Sequence, residues 1–572
     1  MGTCGNRPGN KIYSFNTTLR SSDVRNERFL LHFADYDGKV FRDVYKEYLK
    51  EIVSDGTYKF NRMTEDIRAK LNRGELLSDD EIDWLIVNNP QKCGIYGRLM
   101  TQLRSLKEQG FLKFHPNPSN PKYISITKLG RELIGVEEYS TDVYCKAMIG
   151  LHANNPSRIK MWNKSRPFLN TLFVMNEVEK MWKELGRDDT GIARYEFSAF
   201  ILTMKDCDYM KAAKAIIKYR KSNGNKIVYN YEKLKTHALA QDAINVNEDN
   251  IKTEYSDEVF RKFKMTGLVE ARGSANYRMY SFSPYNMEKV NAILKMYKDY
   301  SFVEFENQDA YYDFLENIAL PWQIDLDTRI EIAKAKAALL GEHISDYSNI
   351  VKVEQFLDHL YYSNVLSDAI DASEINSLRN ELLILSGALD KTSIFKDLDE
   401  PLRLEYVLAL VLGKRFGKKG LISNIVYNSS GYPLNHAGGK KADLVYKHLN
   451  LSFIMEPTMI KSPSEMMTKE TTGVVEHYLD EKAVDPNLNY GMLVSPFTNS
   501  RVARFYRYAV TSEDVNIIPI SIEVFVDMID NSLTIDELES ELDKYLKELK
   551  DKTPELYTDL INGIHPSVTL VL

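Results

Sequence analysis

Asp443 and Glu456 bracket the stretch DLVYKHLNLSFIME. There an apolar run at 442–446, a turn-like KHLN at 447–450 and a second apolar run at 451–458 spell an antiparallel hairpin. With the turn centred between Leu449 and Asn450, the two carboxylates fall opposite each other on one face, with Cβ atoms roughly 4.5–5.5 Å apart. Like charges that close repel, so either one is protonated or a cation lies between them, and a hard divalent ion such as Mg²⁺ is the usual solution. Thr458, two residues past Glu456, points to the same face. Glu470, Val474 and His477 stand at i, i+4 and i+7 of a helix, so Glu470 and His477 can reach one site. An Asp and a Glu on neighbouring strands are also compatible with a solvated or salt-bridged surface pair. Against that, Leu451, Phe453, Ile454 and Met455 make the second strand apolar enough to be covered on both faces, where an unpaired carboxylate is costly.

Upstream, a helix opening at about Pro401 sets Glu405 on the same side as Leu408, Ala409 and Leu412. Buried there without a partner it would cost about 1–3 kcal/mol or more; exposed, it is a helix-start Glu favoured by the dipole. Downstream, a strand at 490–496, a helix bearing Arg501, Arg504 and Arg507, and a strand at 515–524 complete an α/β core. A charged amphipathic helix at 533–549 offers a partner surface. GKRFGKKG at 413–420 lacks the Lys-Ser/Thr ending of a phosphate-binding loop.

The succession Gly438-Gly439, three residues, Asp443, a turn, Glu456-x-Thr458, then Glu470 and His477 resembles the AlwI-type branch of the Type IIS restriction endonucleases and their strand-nicking relatives. Residues 14–41, 267–272 and 490–525 also read like that group. The resemblance implies a cleavage domain built on a variant of the PD-(D/E)XK nuclease core, with Asp443 and Glu456 holding Mg²⁺ helped by the Pro457 carbonyl. It gives Glu405 a role at the metal site, direct or through water, and Glu470 and His477 match the family's Glu-x6-His spacing. Two positions depart from the usual core: Ala442 stands where Pro is usual and Thr458 where Lys is. Thr458 can donate a hydrogen bond but no charge, which leaves His477, Lys440 or Lys441 to supply one. The implied partners are double-stranded DNA, a cognate DNA methyltransferase, and a transiently paired second cleavage domain or a small partner subunit.

The rest of the chain must hold that site and find DNA for it. A chain of 572 residues exceeds one core, so several domains are expected. Cys4, Cys93, Cys145 and Cys207 are scattered without CxxC spacing, which argues against a zinc site or a disulfide framework and fits a reducing cytoplasm. No signal peptide opens the chain and no apolar run is long enough for a membrane span. The net charge of −7 conceals a split: residues 1–300 carry 49 Lys and Arg against 38 Asp and Glu, whereas residues 301–572 carry 25 against 43. A basic first half points to phosphate contacts.

Residues 1–57 mix turn signals with Arg20, Arg25 and Arg28 and close with an amphipathic helix at 41–52; they form a basic arm, and by resemblance the leading edge of a recognition region. At 94–135 the order is helix, Gly110, strand 111–114, Pro-rich turn, strand 123–127, helix, which is that of a winged helix. Its first helix turns Tyr96, Leu99, Met100, Leu103 and Leu106 inward and leaves Arg98, Gln102 and Ser105 as a polar face suited to base edges and phosphates. Winged helices serve equally as protein-binding or architectural units. A second such unit follows at 254–297, with its wing turn at 272–276 beginning on Arg272, and is a weak internal repeat. Between the two, residues 211–226 hold six basic residues and no acidic one, either a solvated helix face or a phosphate-contacting one.

The expected architecture is multidomain α+β: a winged-helix-containing DNA-recognition region over 1–299, an acidic helical linker over 300–396 and an α/β nuclease domain over 397–572. The expected function is Mg²⁺-dependent, sequence-specific DNA cleavage outside the recognition site, one strand per catalytic centre. The alternative is a DNA-binding regulator that keeps an inactive nuclease fold as an interaction module.

Overall fold

The computed structural model describes residues 12–13, 15, 24–54, 57–58, 60–72, 75–91, 94–135, 141–158, 163–188, 191–244, 246–272, 278–395, 398, 400–427, 431–435, 441–448, 451–462, 466–513 and 515–563. Helices make up most of them, and the strands gather in small sheets, a mixed α and β architecture. Two compact units divide the chain. One comprises Met1–Tyr45, Gln91–Val136 and Ser140–Leu357, the other Lys46–Pro90, Glu137–Tyr139 and Asp358–Leu572. The boundary near 357 lies inside the helix Ile350–Ala372, so the stretch 300–396 falls partly in each unit.

The aromatic residues of that stretch explain its allegiance. In the first unit, helix Gln308–Glu316 buries Tyr311, Tyr312 and Leu315, and the Tyr312 hydroxyl donates to the Leu112 carbonyl at 2.7 Å. Gly110, at φ +92°, ends the helix Gly94–Glu108 where a Cβ would come within 2.7 Å of the Leu315 side chain. The stretch 300–317 therefore buttresses the first helix–hairpin unit.

That unit forms with the expected order. Helix Gly94–Glu108 buries Leu99, Met100, Leu103 and Leu106; strands Leu112–His115 and Tyr123–Ile126 pair antiparallel; helix Lys128–Gly135 follows. The polar face expected on the first helix is not open. Gln102 and Ser105 are 4% and 1% exposed and Arg98 is half-buried. The turn after Leu112–His115 also folds back on the helix, where Arg104 and Lys107 donate to the Ser119 and Pro118 carbonyls at 3.3 and 3.1 Å. Residues at helical spacing look outward only if nothing else packs there, and this helix also meets helix Val24–Phe33.

The second unit of this order runs from helix Tyr255–Lys264 through Gly267, strand Val269–Arg272 and strand Met279–Phe282 to helix Met287–Met296, and the short strand Ile192–Ala193 adds to its sheet. Arg272 is exposed, and its guanidinium is held by the Glu270 carboxylate at 2.6 Å.

In the other compact unit a five-stranded sheet runs β1 (Leu421–Ser423), β2 (Leu444–Lys447), β3 (Ser452–Pro457), β4 (Leu488–Ser495) and β5 (Ile517–Ser521), side by side in sequence order. β1, β2 and β3 pair antiparallel, whereas β3, β4 and β5 run parallel. The hairpin register follows from the turn position: Ser452 faces Lys447, Phe453 Tyr446, Ile454 Val445 and Met455 Leu444. All six residues of β3 are buried, as its central place demands, and burial of Phe453, Ile454 and Met455 contributes about 1.5–3 kcal/mol each. Helices α1 (Glu400–Phe416), α2 (Thr471–Val484) and α3 (Ser500–Ser512) accompany the sheet. β5 is shorter than the expected strand at 515–524, because the Ser521 hydroxyl accepts the Val524 N–H at 3.2 Å and starts a helix, α4 (Ile522–Asn531). The expected helix at 533–549 is α5 (Ile535–Asp551); its stripe of Leu538, Leu542 and Leu549 is buried within the same unit, and its charged face is exposed. No helix among the described residues is long and apolar enough to cross a membrane.

Candidate active site

The antiparallel register carries Glu456, near the end of β3, opposite Asp443 at the entrance to β2. Asp443 reaches the Glu456 carboxyl with both its side chain and its backbone N–H. The backbone just before β2 is fixed by Asn424, whose amide donates to the Ala442 carbonyl at 2.6 Å and whose N–H donates to the Asp443 carbonyl at 3.1 Å. The first turns of α2 bring in the other two groups: the His477 ring Nδ1 lies 2.8 Å from Glu456 Oε1, and Glu470 accepts the Thr458 hydroxyl at 3.2 Å. Glu405 is 4% exposed on α1, so it lies on the buried stripe of that helix and not on an exposed first turn.

Burial, then the neighbouring Glu470 and Glu405 carboxylates, push the Glu456 carboxyl well above the usual carboxylate range, against hydrogen bonds from Asp443 that favour its charged form. Acidic groups thus meet at a largely buried point that favours a proton or another cation. Among the described residues no group of three or more His, Cys, Asp or Glu gathers as a chelating cluster. Asp443, Glu456 and the Pro457 carbonyl are hard oxygen donors, a set suited to Mg²⁺, which takes one or two carboxylates and leaves its remaining positions to water and phosphate oxygens. The residues fit that ion and do not resemble a Cys/His zinc site.

A family model described as AlwI restriction endonuclease matches residues 109–528 of this chain. The chain belongs to the AlwI restriction endonuclease family. The matched span contains every carboxylate of the site together with His477 and Arg272, while Arg20, Arg98, Gln102 and Ser105 lie before it. Among curated proteins no match is found. The small subunit, R.BspD6I2, of the heterodimeric restriction endonuclease R.BspD6I is similar at 18% identity and TM-score 0.27, over 32% of this chain and 96% of that one. Restriction endonuclease FokI is similar at 11% identity and TM-score 0.23, over 92% of this chain and 98% of that one. FokI bound to DNA gives 13% identity and TM-score 0.22, over 94% and 99%.

In this AlwI-family chain the structure brings together Asp443, Glu456, Thr458, Glu470, His477 and Glu405, where sequence spacing had paired Asp443 with Glu456 and Thr458, and Glu470 with His477. Arg20 and Lys440 lie outside the described residues. Arg98, Gln102, Ser105 and Arg272 belong to the other compact unit, where Gln102 and Ser105 are buried. Two residues escaped sequence reasoning. Asn424 carries no signal in a turn-like SNI. Tyr506 shares the apolar face of α3 with Val502, Ala503, Ala509 and Val510 and is fully buried; burial, Glu470 and Glu456 push its hydroxyl well above the ordinary tyrosine value. A phenol on an otherwise aliphatic stripe was the available clue.

Proposed function

We propose that this AlwI-family chain is a sequence-specific, Type IIS-like DNA endonuclease that hydrolyses a phosphodiester outside its recognition site in a Mg²⁺-dependent reaction. The supporting observation is the buried Glu456 faced by Asp443 and held by His477 at 2.8 Å. Residues 397–572 are read as a cleavage domain on a PD-(D/E)XK-like core, α1 with β1 to β4 and α2, and the two helix–hairpin units as winged helices of a DNA-recognition region within residues 1–299.

Asp443, Glu456 and the Pro457 carbonyl would hold the ion, which when bound neutralises charge at the phosphate and makes the attacking water more acidic. The protein's own groups prepare that arrangement. A bound ion would favour the ionised form of Glu456, and His477 Nδ1, 2.8 Å from Glu456 Oε1, would fix the orientation of its carboxylate. Thr458, where the usual core has Lys, holds Glu470 in place by a hydrogen bond and brings no charge. Water would attack phosphorus in line with the 3′-oxygen, the P–O3′ bond breaking as the new P–O bond forms and the water's proton passing through solvent to the departing 3′-oxygen, which leaves a 5′-phosphate and a 3′-hydroxyl. In-line geometry at one centre addresses one strand, so a double-strand break requires a second cleavage domain or a partner subunit. A cognate DNA methyltransferase would protect the host's own sites.

The test is incubation with a random-sequence DNA library and Mg²⁺, followed by sequencing of the ends on both strands. Cuts at a fixed offset from a common motif are expected. Motif-specific binding with no scission would leave the chain a DNA-binding regulator with an inactive nuclease fold.

A further inference from the structure

The basic run at 211–226 is a structured feature of the first unit. Helix Tyr209–Ser222 contains no acidic residue, and Lys211, Lys214, Lys218 and Lys221, at i, i+3, i+7 and i+10, fall on one face and are all exposed. The opposite face is fixed. Ala212, Ala213, Ile216 and Ile217 are buried, and Arg220 is fully buried. Its guanidinium is bidentate to Glu196 at 2.9 and 2.7 Å, donates to the Gly191 carbonyl at 2.9 Å and lies over the Trp182 ring. Removing one partner of such a buried pair costs about 3–5 kcal/mol, so the helix cannot easily roll and its lysine stripe keeps one outlook.

Among the described residues, single unpaired lysines occur on other helices of this chain, as at Lys295, Lys352 and Lys547, but here four share one face. Elsewhere several helix lysines pair with a carboxylate a turn away: Lys180 with Glu177, Lys334 with Glu331, Lys544 with Glu541 and Lys552 with Glu548. None of the four stripe lysines has a carboxylate within ion-pair distance among the described residues, in a chain whose acidic residues outnumber its basic ones 81 to 74. Of the two acids just before the helix, Asp206 accepts the Asp208 N–H at 3.0 Å and Asp208 caps the helix by accepting the Lys211 N–H at 3.0 Å. Lys226 is exposed just beyond the C-terminal end, and Lys233 places its ammonium there on Ser222 and Asn223.

We infer that this stripe is a docking surface for the phosphate backbone of duplex DNA, contacted without regard to sequence, and that it supplies affinity while other residues supply recognition. The inference rests on the DNA-cleaving reading above. The four lysines span about 15 Å of helix, a length over which a duplex offers on the order of nine phosphate charges. Lysine suits the task, since a mobile point charge follows phosphates without demanding a fixed geometry.

The experiment measures binding of the full chain to a duplex carrying its site, and to one without it, across a salt series. It compares the parent with K211Q/K214Q/K218Q/K221Q, with the same four positions changed to Arg, and with a control, K164Q/K180Q/K298Q/K334Q, that removes the same charge from exposed lysines elsewhere in the unit. Each lost phosphate contact lowers the slope of log affinity on log salt by about 0.9, so the Gln variant should lose about 3 to 4 from its slope on both duplexes. Its preference for the site over other DNA should be unchanged, its melting temperature close to the parent's, and the Arg variant and the control should keep the parent's slope. An unchanged slope in a folded Gln variant, or an equal loss in the control, overturns the stripe alone. Failure of the parent itself to bind either duplex overturns the DNA-cleaving reading and the stripe with it.

Discussion

Glu456 is the residue on which the site turns, because its carboxyl is buried among other acids and each neighbour leaves a measurable signature. Asp443→Ala or Glu456→Ala is expected to lower cleavage by more than about a hundredfold, beyond the loss usual for outer partners of a metal, while binding to the specific duplex survives. Full cleavage by either variant at ordinary Mg²⁺ would remove the assignment. His477→Ala acts through Glu456, so about a 10- to 100-fold drop at limiting Mg²⁺ should recover in part as Mg²⁺ is raised; a loss insensitive to Mg²⁺ would count against that positioning role. The raised proton affinity of Glu456 also sets a pH dependence. Between the ordinary carboxylate pKa and the raised one, the folded state holds a proton that the unfolded state has lost, so this contribution is complete in acid and fades as pH climbs through the raised value. In chelator, the melting temperature of the parent should fall from about pH 5 to pH 8 more steeply than that of Glu456→Gln; parallel curves would show that Glu456 is not held protonated. Asp443 and Glu456 were legible as a facing pair because a hairpin turn fixes every cross-strand partner. The contact of His477 with Glu456 was half legible: helical spacing puts His477 and Glu470 on one side of α2, but only packing decides which strand that side meets. Asn424 and Tyr506 owe their places entirely to such packing.

Elements were legible wherever local chemistry closes them. The strands of the hairpin, the helix ends at Gly110 and Gly267, and the two helix–hairpin units follow from turn residues and apolar period. What period cannot reveal is whether a polar stripe faces water, and the helix Gly94–Glu108 shows the difference. Gln102 is buried, and its Oε1 has no hydrogen-bond partner among the described residues. Gln102→Leu should therefore leave DNA affinity unchanged and leave stability equal or higher, since an apolar group of similar size removes an unsatisfied acceptor; weakened binding to the specific duplex would restore it as a base-reading residue. β5 ends early for a similar reason, because Ser521 caps the next helix as soon as its hydroxyl finds the Val524 N–H. Gly420 is the tightest point of the sheet edge: its φ is +91° and a Cβ would lie 1.8 Å from the Lys447 carbonyl oxygen. Gly420→Ala should cost at least roughly 1–3 kcal/mol and shift β1 away from β2. A denaturation midpoint equal to the parent's would contradict that close approach.

At the scale of the whole molecule, the two units are not consecutive lengths of chain, since residues 46–90 belong with 358–572 and residues 300–357 belong with the first unit. A fragment ending at residue 300 therefore lacks Tyr311, Tyr312 and Leu315, which are buried in the first unit. Such a fragment should be cut by a trace of protease far faster than the same residues in the full chain, whereas equal resistance would show that the helix Gln308–Glu316 is dispensable. The sequence revealed charge asymmetry and element order but not this interleaving, because composition shifts mark changes of surface and not which distant segments share a core. The interleaving also sets a timetable for synthesis. Residues 46–90 leave the ribosome more than four hundred residues ahead of β5, a lag of roughly 20 to 90 s at ordinary elongation rates. All of the first unit's residues, through Leu357, are made before the first residue of the sheet. A newborn chain thus completes the half bearing the lysine stripe about 160 residues, or roughly 8 to 32 s, before β5 can join the sheet around Glu456, so on the reading proposed above it can hold DNA before it is able to cut it.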